Sequence, residues 1–134
     1  MMLRNGVDLV EVHRLAELKP GIRERFLKRV FTPLELLEAD DSNQRLAGRF
    51  AVKEAVAKAL GCGIGPISWQ DIEVQNGPTG EPVLNLQGNA RTLASSQGLE
   101  IWSISISHTK DYAVAMVVAL GVDREAERKP DQEV

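Results

Sequence analysis

The stretch Ala47-Gly-Arg-Phe-Ala-Val-Lys-Glu-Ala-Val-Ala-Lys-Ala-Leu60 decides how this chain folds. Its pattern predicts a helix from about Gln44 to Leu60, with Gly61 as the stop. At about 100° per residue, Leu46, Ala47, Phe50, Ala51 and Ala57 share one arc, the side expected to face a core. Glu54 and Lys58 fall inside the same arc. A carboxylate or an ammonium facing a core is costly unless it is paired. One turn apart, the two can pair with each other, and a metal ion and a phosphate would satisfy what remains. The plainer reading is a favourable i, i+4 surface pair. Arg45, Arg49 and Lys53 form a second stripe beside the apolar arc. Such a stripe is ordinarily a solvated face, and it can also bind phosphate.

On the amino-terminal side, Leu3 to Val12 reads as a strand, with Asp8 in its middle. Gly21 to Val30 reads as a short helix with Phe26, Leu27 and Val30 on its apolar side. Thr32-Pro33-Leu34-Glu35 is a capping box with proline at the first helical position, so a helix begins there and runs to about Ala39. Asp40 to Asn43 is a polar break. On the carboxyl-terminal side, Gly61 to Pro66 is a flexible loop. Ile72–Gln75 and Pro82–Leu86 are strands around the turn cluster Asn76-Gly-Pro-Thr-Gly80. Asn89 to Gln97 is a helix. Ile101–His108 and Tyr112–Leu120 form a hairpin across Thr109-Lys110-Asp111. Helices mixed with hairpin-joined strands define an α+β fold: a long central helix on a small, mostly antiparallel sheet.

The expected organisation is one domain over residues 1–120 and a charged tail over 121–134. Within that tail, residues 123–134 carry eight charges in twelve positions, which reads as frayed or disordered. Net charge is −3 and the pI about 5.4, so no global basic signature points to nucleic acid. The basic residues are uneven, however. Arg14, Lys19, Arg23, Arg25, Lys28 and Arg29 face only Glu17 and Glu24 in their stretch, which suits an acidic partner. The bland alternative is a solvated helix face. A single cysteine, Cys62, excludes an intrachain disulfide and suggests a reducing compartment. The longest apolar run, Tyr112 to Leu120, is too short to cross a bilayer as a helix. No amino-terminal signal pattern is present. The expectation is a cytoplasmic protein with no membrane or nucleic-acid partner.

Aspartate is disfavoured inside strands, so Asp8 is either a solvent-facing edge residue or functional. Beside Glu54 it gains meaning, because two carboxylates meeting at one point repel unless a cation sits between them. Few, hard oxygen ligands suit Mg²⁺, which keeps its waters and borrows substrate phosphates. His108 ends a strand just before a turn, a rigid place for a functional group, although a lone histidine there is ordinarily a surface residue. His13 and Cys62 have no partners at metal or nucleophile spacing, and no glycine-rich nucleotide motif is present.

Gly6-Val-Asp8-Leu-Val-Glu11-Val-His-Arg14 resembles the opening motif of the holo-(acyl-carrier-protein) synthases, a family of 4'-phosphopantetheinyl transferases. Arg49-Phe-Ala-Val-Lys53-Glu54-Ala-Val-Ala-Lys58-Ala-Leu-Gly61 is similar to their central helix. Gly63-Ile-Gly65, Asp71-Ile-Glu73-Val, Asn76 to Pro82 and Ser105-Ile-Ser107-His108-Thr109 follow in family order. The likeness covers about residues 3–120. Any one motif is moderately specific; the whole set in order is very specific.

The resemblance implies transfer of the 4'-phosphopantetheine arm of coenzyme A to a serine of apo acyl carrier protein, with release of adenosine 3',5'-bisphosphate. It implies Asp8 and Glu54 as Mg²⁺ ligands and Lys58 as the group that neutralises phosphate charge or protonates the leaving group. Either Glu54 or a metal-bound water would serve as base. Arg49, Lys53, Lys58, Gly63, Gly80, Pro82, His108 and Thr109 become the expected coenzyme contacts. Arg14, Arg23, Arg25, Lys28 and Arg29, with Phe26 as apolar anchor, become the expected carrier-protein docking face. The family further implies a homotrimer with active sites shared between subunits. Two rivals use the same residues: a Mg²⁺-dependent phosphohydrolase, and a non-catalytic module binding coenzyme A or a carrier protein. The basic stretch speaks against the first. The presence of Asp8, Glu54 and Lys58 together speaks against the second.

Overall fold

The computed structural model describes residues 1–122. The chain runs β1 (Met2–Glu11), α1 (His13–Ala16), α2 (Pro20–Val30), α3 (Pro33–Ala39) and α4 (Asn43–Leu60). A 3-10 turn (Trp69–Asp71) leads into β2 (Ile72–Asn76), β3 (Pro82–Leu86), α5 (Gly88–Ser96), β4 (Leu99–His108) and β5 (Tyr112–Gly121). One antiparallel sheet has the order β1-β5-β4, and β2-β3 stand apart as a second, two-stranded sheet.

Local chemistry sets the boundaries. Thr32 Oγ1 accepts from the Glu35 amide at 3.2 Å while Glu35 Oε1 accepts from the Thr32 amide at 3.0 Å, so the expected capping box starts α3. Asp40 and Asp41 take left-handed backbone (φ 48° and 58°), which aspartate tolerates better than most residues, and the chain reverses there. Ser42 caps α4, and Gly61 ends it at φ 73°.

Alternation along β5 buries Ala113, Ala115, Val117 and Ala119 against α4. Small residues on both sides let helix and sheet approach closely. A side chain at Gly6 would put its first carbon 1.9 Å from the Ala55 carbonyl oxygen. The other sheet face is apolar yet exposed: Leu3, Val7, Leu9, Ile101 and Met116 are each more than half accessible.

The helix differs from its expected amphipathic form. Leu46, Ala47, Ala51 and Ala57 are buried as predicted, but so are Val52, Ala55, Val56, Ala59 and Leu60 outside that arc. The cause is a second layer. β2 contributes Ile72 and Val74 and α5 contributes Ala90 and Ala94 to the same core, with Leu84 and Leu86 of β3 packed against it, so α4 is covered on two sides. Lys58, expected among the core-facing residues, is exposed, and the buried cations are Arg49 and Lys53. The stripe holding those two is therefore not a solvated face. Helix α1 and the 3-10 turn were not expected; four and three residues are too few to display a period. Gly121, assigned to the tail, pairs with Met2 inside the sheet. The rest of the predicted tail, 123–134, lies outside the described residues. No helix among the described residues is long and apolar enough to cross a membrane.

Candidate active site

β1 turns Gly6, Asp8 and Val10 toward α4, and Asp8 arrives at the helical turn that carries Glu54 and Lys58. Lys58 Nζ donates to Asp8 Oδ1 at 3.1 Å and to the Val7 carbonyl at 3.0 Å. Burial pushes the Glu54 carboxyl above the usual carboxylate range; the charge of Asp8 adds to the rise and Lys58 opposes it. Asp8 and Glu54 line one cleft of about 440 Å³, whose other walls include Arg14, Leu15, Leu18, Phe26 and Phe50.

Two mutually repelling acids beside a half-buried cleft fit a divalent cation, which would lower the cost of keeping both ionised. No group of three or more Asp, Glu, His or Cys residues suited to a metal occurs among the described residues. The pair thus fits a hard ion that completes its shell with water and substrate oxygens, and not a closed structural site.

A second cleft of about 370 Å³ brings together Arg45, Arg49, Asn76, Gly80, Pro82 and His108. Four expected coenzyme contacts, Arg49, Gly80, Pro82 and His108, therefore share one wall system. Arg49 is only 5% exposed. Its Nη2 donates to Asn76 Oδ1 at 2.9 Å and lies 3.8 Å from Glu38, while its Nε is buried without a partner. Burial lowers the Arg49 pKa, and Glu38 and Glu35 oppose that shift.

Three expected coenzyme residues are placed elsewhere. Lys53 is fully buried, and its ammonium donates to Glu35 Oε1, the Trp69 carbonyl and the Ile72 carbonyl. With all three protons committed, it has nothing to offer a phosphate, so its assignment as a coenzyme contact is corrected. Thr109 Oγ1 accepts from the Asp111 and Tyr112 amides and staples the β4–β5 turn. Gly63 lies in the exposed loop after α4 and lines neither cleft.

The docking residues divide similarly. Arg25 and Arg29 are exposed on α2. Arg14 is exposed beside Glu11 at 3.8 Å, and Lys28 pairs with Glu24 at 3.1 Å. Arg23 is partly exposed and engaged within the chain, donating to Asn43 Oδ1 at 2.7 Å and pairing with Asp41 at 3.1 Å. Phe26 is half-buried against Phe31 and Phe50, with ring centroids 6.4 and 5.7 Å away.

Sequence reasoning missed Glu35, Glu38 and Asn76 as organisers of the second cleft. The available signal was complementary spacing: two acids three apart on α3 and two bases four apart on α4. The clefts themselves are separate. Asp8 and Ile106, one from each, both pair with Ala115 across the sheet, so their backbones stand about 10 Å apart.

A sequence model of the 4'-phosphopantetheinyl transferase superfamily matches residues 4–117, and the chain belongs to that superfamily. Two relatives, both holo-[acyl-carrier-protein] synthases, have nearly the same extent. The Herpetosiphon aurantiacus protein is 44% identical over 127 residues, covering 90% of this chain and 100% of the relative. The Dehalococcoides mccartyi protein is 45% identical over 118 residues, covering 88% and 98%. The fold agrees. The crystal structure of Helicobacter pylori holo-[acyl-carrier-protein] synthase in complex with coenzyme A superposes with a TM-score of 0.79 at 32% identity, covering 87% of this chain and 99% of that one.

Proposed function

We propose that this enzyme transfers the 4'-phosphopantetheine arm of coenzyme A to a serine of apo acyl carrier protein, with Mg²⁺ held by Asp8 and Glu54 and adenosine 3',5'-bisphosphate released. The observation that carries the reading is the meeting of Asp8 and Glu54 at one cleft, from a strand and a helix far apart in sequence, with Lys58 paired to Asp8 beside them.

When bound, Mg²⁺ supplies Lewis acidity toward the phosphorus under attack. The chain's own residues do the rest. Glu54 lies in the cleft beside Asp8, placed to take the proton of the acceptor serine. Lys58, held at the rim by Asp8 and the Val7 carbonyl, lies ready to neutralise phosphate charge and to protonate the leaving bisphosphate. Arg49 and His108 would donate to the coenzyme's other phosphates, and the Gly77–Pro82 turn would lie near its adenine. Arg14, Arg25, Lys28 and Arg29 meet the acidic surface of the carrier protein, with Phe26 between that surface and the metal pair.

We propose further that a second copy of the chain completes the site. The exposed apolar face of β1, β5 and β4 supplies a surface for that association. We read the assembly as a homotrimer in which Asp8, Glu54 and Lys58 of one subunit work with coenzyme contacts of the next. Light scattering then reports a mass of about 44 kDa, three times the 14.7 kDa chain.

Incubation with coenzyme A, Mg²⁺ and apo carrier protein tests the activity. The carrier gains about 340 Da, the mass of the transferred arm, if the reading holds. Loss of coenzyme A without that gain would mean hydrolysis, and no reaction of either kind would mean a binding module.

A further inference from the structure

Hairpin β2–β3 pairs with no further strand among the described residues, yet the outer edge of β2 is occupied. The Ile72 carbonyl and the Val74 and Asn76 amides project along that edge, two residues apart each time. Lys53 Nζ donates to the Ile72 carbonyl. Glu35 Oε2 accepts from the Val74 amide at 3.0 Å, and Glu38 Oε2 accepts from the Asn76 amide at 2.7 Å. Charged side chains of α3 and α4 thus stand where the backbone of a neighbouring strand would stand.

The two helices match in spacing. Glu35 and Glu38 are three apart on α3, Lys53 and Arg49 four apart on α4, and each acid meets one base, at 2.7 and 3.8 Å. The inner rung, Glu35–Lys53, is wholly buried and fixes the base of the hairpin. The outer rung ends at the second cleft, where Arg49 also donates to Asn76. Glu38 stands behind Asn76 and does not line that cleft.

We propose that Glu38 is a positioning residue for coenzyme binding: its carboxylate clamps the Asn76 amide and so holds the cleft rim, and Arg49 beside it, in the receiving geometry. The proposal rests on reading the Arg49 cleft as the coenzyme's. The opposed physical effect is competition, in which an acid beside Arg49 draws its charge away from a phosphate. The two effects predict opposite signs.

The test is steady-state kinetics of E38A, E38Q and R49A with coenzyme A varied at saturating Mg²⁺ and carrier protein. A lost charge-assisted hydrogen bond predicts a KM for coenzyme A raised about tenfold in E38A, with kcat at saturation within about twofold of wild type. E38Q keeps an oxygen for the Asn76 amide and recovers most of the loss. A KM that is unchanged or lower in E38A overturns the proposal, as does an E38Q that behaves like E38A. Should E38A not fold, E38D, one methylene short of the amide, carries the same expectation and the same refutation. R49A separates the two levels. If R49A leaves the KM for coenzyme A unchanged, the cleft reading itself fails. If R49A raises it while E38A does not, only the role of Glu38 falls.

Discussion

Glu54 faces two opposed demands. Its position in a half-buried cleft beside Asp8 favours the protonated form, whereas holding a cation requires the carboxylate. An acid whose folded-state pKa is raised stabilises the fold below its unfolded pKa, and that contribution is lost as pH rises through the folded value. Metal-free E54Q, neutral at every pH, is therefore expected to melt above wild type at about pH 8, with the gap shrinking toward about pH 4.5. Melting both proteins in chelator across that range checks the sign; a gap that widens on acidification contradicts it. The same substitution is expected to lower transfer by roughly 100-fold or more if Glu54 is the metal donor proposed above. Stability and activity thus move in opposite directions at one atom. Asp8 and Glu54 were each legible in the sequence because each breaks the pattern of its own element, and the family resemblance joined them as a pair. Lys53 was not, because a helical wheel shows which residues share a face and not what will cover that face.

At the scale of elements, α4 organises the molecule through its cations as much as through its alanines. The Glu35–Lys53 pair lies at 2.7 Å with both side chains fully buried. Burial depresses the Lys53 pKa, and Glu35 counters that shift. Removing one partner strands a buried charge, so K53M is expected to cost about 3–5 kcal/mol in urea unfolding, and E35L/K53M is not expected to recover it, because the Thr32 and Val74 amides and the Trp69 and Ile72 carbonyls lose their side-chain partners. A K53M protein within about 0.5 kcal/mol of wild type would show that the pair is not what fixes α3 and β2 to α4. The periodic elements were readable nearly to the residue: the Thr32 capping box, the Gly61 stop and the polar turn Thr109-Lys110-Asp111 are local signals. The hairpin's attachment was not readable. It is made by acids on α3 and bases on α4 that meet only when the chain reverses at Asp40–Asp41, a contact between elements that no single segment encodes.

The whole molecule joins an acidic chain to a basic helix, α2, and salt should report on the docking role proposed for it. Arg25 and Arg29 are exposed on α2, whereas Arg23 is spent on Asp41 and Asn43. R25E/R29E is expected to raise the KM for carrier protein about tenfold or more at low salt while leaving the KM for coenzyme A unchanged, and wild type should lose carrier affinity as salt increases. An R23E variant would act mainly on stability, through the α2–α4 contact it breaks. If R25E/R29E leaves the carrier KM unaltered, the docking face lies elsewhere. The charge asymmetry was visible in the sequence, but which arginines remain free depended on partners supplied by another loop. Beneath both clefts lies the central claim, that Asp8 and Glu54 jointly hold a divalent ion. A crystal of the enzyme grown with coenzyme A and Mn²⁺ tests it most directly. The account predicts an anomalous peak within coordination distance of one carboxylate oxygen from Asp8 and one from Glu54; a peak bound elsewhere, with these two acids lacking a shared ion, would contradict it.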